Sequence, residues 1–308
     1  MGVVKRYGTP AAFKTALSAR LRERARSAEL PVDRVRTLAV MERFLARVVA
    51  VFPETTVLKG GLALELRLEK ARTTKDIDLR LLGDPEGAAA LIAEAARHVV
   101  DPDDYLSFTA EPDPEHPTIQ GDGAVYDGYR FKVTPSLAGE RYGDVFGVDV
   151  SFADALHGDV VEVRGSDAFA FIGVPPVAVR AYPAGSHLAE KLHAYTLPRK
   201  EGTENSRVKD LPDIALIASI EGLDAADLRA AIRTTFSFRD THPVPANVPE
   251  PPASWADRYR RMADEESLPW KELPHLVEVV RGFLDPVLAG QDGTWNPEGW
   301  RWVAPARA

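Results

Sequence analysis

Two aspartates, one residue apart in the run KDIDLRLL (residues 75–82), are the first side chains along the chain whose spacing suggests chemistry. On a β-strand, residues i and i+2 point to the same side. Asp76, Asp78 and Arg80 therefore share one face, and Ile77, Leu79 and Leu81 share the face that can enter a core. The two carboxylates stand about 6–7 Å apart at Cα. Such a pair can converge on a hard, oxygen-preferring cation such as Mg²⁺. The plainer use of the same pattern is a solvated face on an edge strand.

Other residues point the same way. Fifteen residues before Asp76 the pair Gly60-Gly61 ends, between an apolar run and a helical pattern. Glycine allows a phosphate to approach the backbone closely, and a following helix N-terminus offers unpaired N–H groups to an anion. A third carboxylate, Asp149, sits in FGVDVSF with Phe146, Val148, Val150 and Phe152 alternating to the opposite side. Beside the first strand, Asp149 would complete a metal site or take the proton of an attacking hydroxyl. An anion cradle next to a carboxylate cluster suits a metal-bound nucleoside triphosphate.

The elements that must position these residues follow from periodicity. Residues 11–28 and 32–51 read as amphipathic helices parted by Leu30-Pro31. Residues 56–58 and 75–82 read as strands, with helices over 62–70 and 85–100. The acidic stretch 101–127 reads mostly as loop, and 129–133, 145–152 and 160–163 as strands. From residue 186 onward the pattern is helical: 186–197, 210–221, 224–235, 254–265 and 271–288. The expected architecture is α+β, a mixed domain over 1–182 followed by a helical domain over 183–308, which by the family resemblance described below completes the site.

Composition narrows the classes. The 308 residues carry a net charge of −8 and contain no cysteine, which excludes disulfides, thiolate metal sites and cysteine nucleophiles. No apolar run reaches the ~18 residues that a membrane span needs, and the N-terminus lacks a signal-peptide core. A cytoplasmic protein is the simplest expectation. Residues 14–47 carry nine basic and four acidic residues, which makes them either a candidate RNA face or helices with solvated ion pairs.

The order hGG, helix, DhDh and a later strand aspartate resembles the DNA-polymerase-β-like nucleotidyltransferase superfamily. More specifically, LKGGLAL with RTTKDIDL, HLAEKLHAYT (187–196), SRVKDLPDIALIA (206–218) and TFSFRDTHPVP (235–245) together resemble the AbiEii toxin family, which includes the MenT-type toxins. The resemblance implies that Asp76 and Asp78 hold Mg²⁺, with Asp149 as the later strand aspartate beside them, that Gly60 and Gly61 admit the triphosphate, and that Lys191 contacts its phosphates. Asp213 would orient Lys191 or the acceptor hydroxyl. Arg72, Thr74, Arg207, Lys209 and Arg239 become expected phosphate or RNA contacts. The implied reaction moves a nucleotide, a pyrimidine by the same resemblance, onto the 3′ end of a tRNA. The implied partner is a cognate antitoxin.

Alternatives stand beside these readings. Lys191 with Glu190 could be a solvated helix face, and Asp210 and Asp213 could flank a helix start. Arg239 and His242 could fix a loop. His187 and His193, six residues apart, do not share a face at metal-ligand spacing and read as structural. A transferase acting on a small molecule such as an aminoglycoside, and a non-catalytic nucleotide-sensing protein, are the rival functions.

Overall fold

The computed structural model describes residues 6–68, 73–82, 87–119, 128–152, 155–199 and 203–304; Arg72, one expected phosphate contact, lies outside them. Helices α1 (Pro10–Ala28) and α2 (Val32–Val51) open the fold. Thr9 starts α1 by accepting the Ala12 N–H at 3.2 Å, and Pro10 takes a first-turn position where no amide donor is needed. Next come β1 (Thr56–Lys59), α3 (Gly60–Arg67), β2 (Asp76–Leu81), α4 (Ala88–Arg97), β3 (Leu106–Pro112) and β4 (Gly128–Leu137). Strands β5 (Glu140–Arg141), β6 (Phe146–Ser151), β7 (Val161–Arg164) and β8 (Ala178–Ala181) complete this half.

These strands form one mixed sheet of order β3-β4-β6-β2-β1-β8-β7, with β5 added to β4. Strand β2 is interior: β1 pairs with it antiparallel and β6 parallel. Alternation sends Ile77, Leu79, Phe131, Val133, Val148 and Val150 to one face, all buried. They join a core with α1, α2 and α4. Phe44 of α2 meets Phe108 and Phe146 edge-on, with ring centroids 5.4 and 5.7 Å apart. Burying each such side chain stabilises the fold by about 1.5–3 kcal/mol. With that face anchored, the register of β2 cannot slip without turning Asp76 and Asp78 into the core.

A second core is built from α5 (Ala184–Thr196), α6 (Asp210–Ala218), α7 (Ala225–Arg239), α8 (Trp255–Glu265) and α9 (Leu273–Leu288), joined by Leu64 of α3. A short hairpin, β9 (Thr294–Asn296) and β10 (Arg301–Val303), closes over it. Trp295 is buried there, and Trp302 stacks on Phe283 at 5.7 Å between centroids.

The structure departs from the sequence pattern in three places. The acidic stretch after residue 101 is not all loop, since β3 lies within it, with Leu106 and Phe108 alternating inward between polar residues. Strand β8 is too short to show a period, yet its Ala181 pairs with Leu58 and seats β1 inside the sheet. The basic segment 14–47 does not form one open cationic face. Arg47 is buried and donates to the carbonyls of His98 at 2.8 Å and Leu106 at 2.7 Å. Arg43 lies buried 2.9 Å from Asp104. Much of the basic charge of α2 is thus matched by the acidic stretch, because a guanidinium leaves water only when its donors find partners.

Candidate active site

Sheet register alone assembles a charged row. Lys59 of β1 lies opposite Asp78, Asp78 opposite Asp149 of β6, and Asp149 opposite Arg130 of β4. Directly opposed residues share a sheet face, so four adjacent strands present cation, carboxylate, carboxylate, cation. Arg130 grips Asp149 with both arms: Nε donates to Oδ1 at 2.8 Å and Nη2 to Oδ2 at 2.7 Å. One step along β2, Asp76 lies opposite Gly147.

Glycines make room for both β2 carboxylates. A β-carbon on Gly60 would stand 1.9 Å from Asp78 Oδ2, and one on Gly147 would stand 2.3 Å from Asp76 Oδ1. Gly60 also adopts φ +66°, the left-handed region that glycine occupies without strain. The turn from β1 into α3 therefore wraps around the Asp78 carboxylate. Helix α3 begins there, and its first residues, Gly60 and Gly61, line the same hollow.

The electrostatics are those of crowded acids. Burial raises Asp78 to about 6, with the nearby Asp149 raising it further and Lys59 and Lys191 opposing. Asp76 is raised too, by desolvation and then by Asp149. Two carboxylates that resist ionising together, in a hollow free of β-carbons, form a hard oxygen donor set that fits a divalent cation such as Mg²⁺. Asp149 is placed beside them, but its oxygens are turned to Arg130. Among the described residues, no group of three His, Asp or Glu side chains converges as a ready-made metal cage.

The helical half supplies the opposite wall. The α5 residues His187, Lys191 and Ala194 follow helical spacing and line the cleft. Lys191 Nζ lies 2.8 Å from Asp213 Oδ2 and 3.3 Å from Asp210 Oδ1, and Arg207 Nε braces Asp210 at 2.7 Å. Asp213 is fully buried behind Lys191, so of the two tasks expected of it only the positioning of Lys191 is within reach. Both aspartates lie in the first turn of α6, where Asp213 serves Lys191 and Asp210 is shared between Lys191 and Arg207. The cleft so formed has a volume of about 1000 Å³, enough for a nucleotide.

The remaining expected contacts divide. Lys209 lines the cleft and Thr74 borders it, the Thr74 hydroxyl donating to Asp76 O at 3.3 Å. Arg207 and Arg239 border it but act on protein groups: Arg239 Nη2 holds Glu190 Oε1 at 3.1 Å, and Glu190 lies 3.6 Å from Lys59 Nζ. His193 bonds Thr241 at 2.8 Å and is held low, near 3, by burial and then by Arg239. His187 is fully buried; burial also pushes it to about 3, and neither ring nitrogen has a hydrogen-bond partner among the described residues. The sequence reading missed Lys59, Arg130 and Glu190. Only Arg130 left a signal, the alternation Arg130-Phe131-Lys132-Val133, which places basic residues on the face opposite the core.

Comparison with known proteins places this geometry. The profile of the family described as "Nucleotidyl transferase AbiEii toxin, Type IV TA system" matches residues 43–276. No curated protein matches the chain. Among solved structures, the chain is similar to MenT4, a nucleotidyltransferase toxin from Mycobacterium tuberculosis, at 16% identity and TM-score 0.56, over 90% of this chain and 91% of that one. A nucleotidyltransferase from H. pylori, described only as putative, aligns at 15% identity and TM-score 0.41 over 80% of this chain and 91% of that one. The fold is that of the MenT nucleotidyltransferases, and the chain belongs to the AbiEii family of nucleotidyltransferase toxins.

Proposed function

We propose that the chain is an Mg²⁺-dependent nucleotidyltransferase that moves a nucleoside monophosphate from a triphosphate to the 3′ end of a tRNA, blocking translation until a cognate antitoxin neutralises it. One observation carries the reading. The β2 carboxylates, the Gly60 turn and Lys191 face one another across a single cleft of about 1000 Å³. Family membership supports the toxin role and the antitoxin partner. The tRNA acceptor rests on that membership and on the basic side chains Lys75, Arg199 and Lys209 around the cleft.

Asp76 and Asp78 would hold the cation, whose charge offsets the charge that builds on the triphosphate. The acceptor oxygen bonds to the α-phosphorus as the bond to the β-phosphate oxygen breaks, and pyrophosphate leaves with that electron pair. The Gly60 turn admits the phosphates to the backbone. Lys191 is a compact cation whose direction Asp213 and Asp210 fix, which suits a phosphate contact. The hydroxyl proton passes to one of the cleft carboxylates or to water.

Label transfer tests the reading. The protein is incubated with Mg²⁺, each α-³²P-labelled nucleoside triphosphate in turn, and total tRNA, beside an Asp76→Ala/Asp78→Ala control. Label on tRNA from the unaltered chain alone establishes the reaction and names the nucleotide. Label that appears only on a small-molecule acceptor overturns the tRNA assignment. Nucleotide binding without transfer to any acceptor overturns catalysis.

A further inference from the structure

The contact between Arg130 and Asp149 is built into the sheet. Backbone register places the two residues opposite one another, and the guanidinium fork meets both carboxylate oxygens. This bidentate, charge-assisted form is among the strongest hydrogen bonds a carboxylate accepts. Asp149 nevertheless faces Asp78 on its other side. It is thus shared between an acid pair suited to a cation and an arginine that already satisfies it. A guanidinium and a divalent cation on one carboxylate repel each other, so the two compete for Asp149.

Arg130 can move. About a third of its side chain is exposed, and it borders the cleft. Its planar fork fits phosphate oxygens as well as it fits a carboxylate. The charge balance favours an exchange as well. The row Lys59, Asp78, Asp149, Arg130 is neutral and Asp76 adds one negative charge; a bound dication leaves the set positive, and a phosphate at Arg130 restores the balance.

We infer that Arg130 is the counter-ion of Asp149 in the nucleotide-free protein, that it leaves Asp149 when a divalent cation binds, and that the freed guanidinium then takes a phosphate oxygen of the nucleotide. The inference rests on the reading of Asp76 and Asp78 as a cation site. It makes Arg130 a brake on cation binding and an aid to nucleotide binding, two effects of opposite sign.

The test uses Mn²⁺ as the probe, with the full chain and no nucleotide, read by the electron paramagnetic resonance of free Mn²⁺. The unaltered chain is compared with Arg130→Met, Arg130→Lys, Asp149→Asn and the double variant Arg130→Met/Asp149→Asn. Arg130→Met is expected to bind Mn²⁺ roughly tenfold more tightly, and its effect in the Asp149→Asn background should shrink to less than about twofold. Arg130→Lys keeps a cation without the fork and falls between. With Mn²⁺ saturating, Arg130→Met is expected to bind a non-hydrolysable triphosphate roughly tenfold more weakly. Mn²⁺ binding that is unchanged or weaker in Arg130→Met overturns the inference. So does tightening of equal size in the Asp149→Asn background, which is a field effect without displacement. So does unaltered nucleotide affinity. If the unaltered chain binds no Mn²⁺, the cation site itself is lost; if it binds Mn²⁺ normally and only the Arg130 effects fail, the proposed function stands and this inference alone falls.

Discussion

Asp78 Oδ2 occupies the space in which a side chain at position 60 would begin: a β-carbon on Gly60 would lie 1.9 Å from it. The glycine and the carboxylate therefore specify one another. The strand aspartate reaches the cleft because the turn beside it has no side chain, at a backbone φ of +66° that only glycine adopts cheaply.

Gly60→Ala should accordingly fail twice, through backbone strain and through expulsion of the Asp78 carboxylate. Label transfer is expected to drop by at least about 100-fold, since a misplacement of about 1 Å can cost that much, and the melting temperature should fall. Gly282→Ala is the matched control. Gly282 lies within α9, and a β-carbon there would meet nothing within 4 Å, so alanine should stabilise by up to about 1 kcal/mol and leave transfer intact. Equal effects of the two changes would show that the contact has no special role.

The crowding of Asp78 sets a pH dependence. Its carboxyl is raised from 3.8 to about 6 in the folded chain. A raised acid favours folding while protonated, so that stability is complete below 3.8, fades as pH rises through about 6, and is absent above. Without divalent cation, Asp78→Asn should match the unaltered chain near pH 3.5 and exceed it at pH 7.5 by on the order of 2–3 kcal/mol. Mg²⁺ should then raise the melting temperature of the unaltered chain at pH 7.5 and leave that of Asp78→Asn nearly unmoved. Melting curves at the two pH values, with and without Mg²⁺, decide the matter. A variant no more stable at pH 7.5 would show that Asp78 ionises without strain.

How much of this was legible beforehand depends on the range of the signal. The shared face of Asp76 and Asp78 could be read because alternation is local to six residues of β2. Lys191 was marked only by its place in the family-like run HLAEKLHAYT, and His187 read as structural. The partners could not be read. Arg130 meets Asp149 only after β4 and β6 pair, and Lys59 meets Asp78 only after β1 and β2 pair. No local pattern encodes that register; it is set by burial of the opposite face. The basic α2 misled because charge along a sequence does not say which charges will be buried. Arg47 looks like its neighbours, yet is enclosed by carbonyls and Asp104.

The buried pair Lys191–Asp213 should respond unevenly to removal of one partner. Asp213 is fully buried and lies 2.8 Å from the ammonium, so Lys191→Met leaves a buried carboxylate with less compensation. Loss of one partner of such a pair costs about 3–5 kcal/mol. The double variant Lys191→Met/Asp213→Leu should recover most of that stability, because two apolar side chains need no partner, while label transfer remains absent. Denaturant melts and the transfer assay on the same preparations separate the two effects. Restored transfer in the double variant would remove Lys191 from the reaction.

Glu266 ties the helical half to the approach of β2. Its Oε2 accepts from the N–H and the hydroxyl of Thr73, both at 2.9 Å, and lies 3.3 Å from Arg34 Nη1. Arg34 Nε in turn pairs with Glu65 Oε1 at 3.2 Å, and Glu65 Oε2 accepts the Thr74 N–H at 3.4 Å. Two residues beyond Thr74 comes Asp76. The network therefore holds the backbone that aims the first carboxylate, through a residue nearly two hundred positions away. Glu266→Ala should lower kcat by roughly tenfold through misalignment of Asp76 while KM for the nucleotide stays within about threefold. Glu266→Gln keeps an acceptor oxygen for Thr73 and should restore most of the loss. A change in KM alone would instead place Glu266 in contact with substrate, and a fall in melting temperature at unchanged kcat would reduce it to a brace.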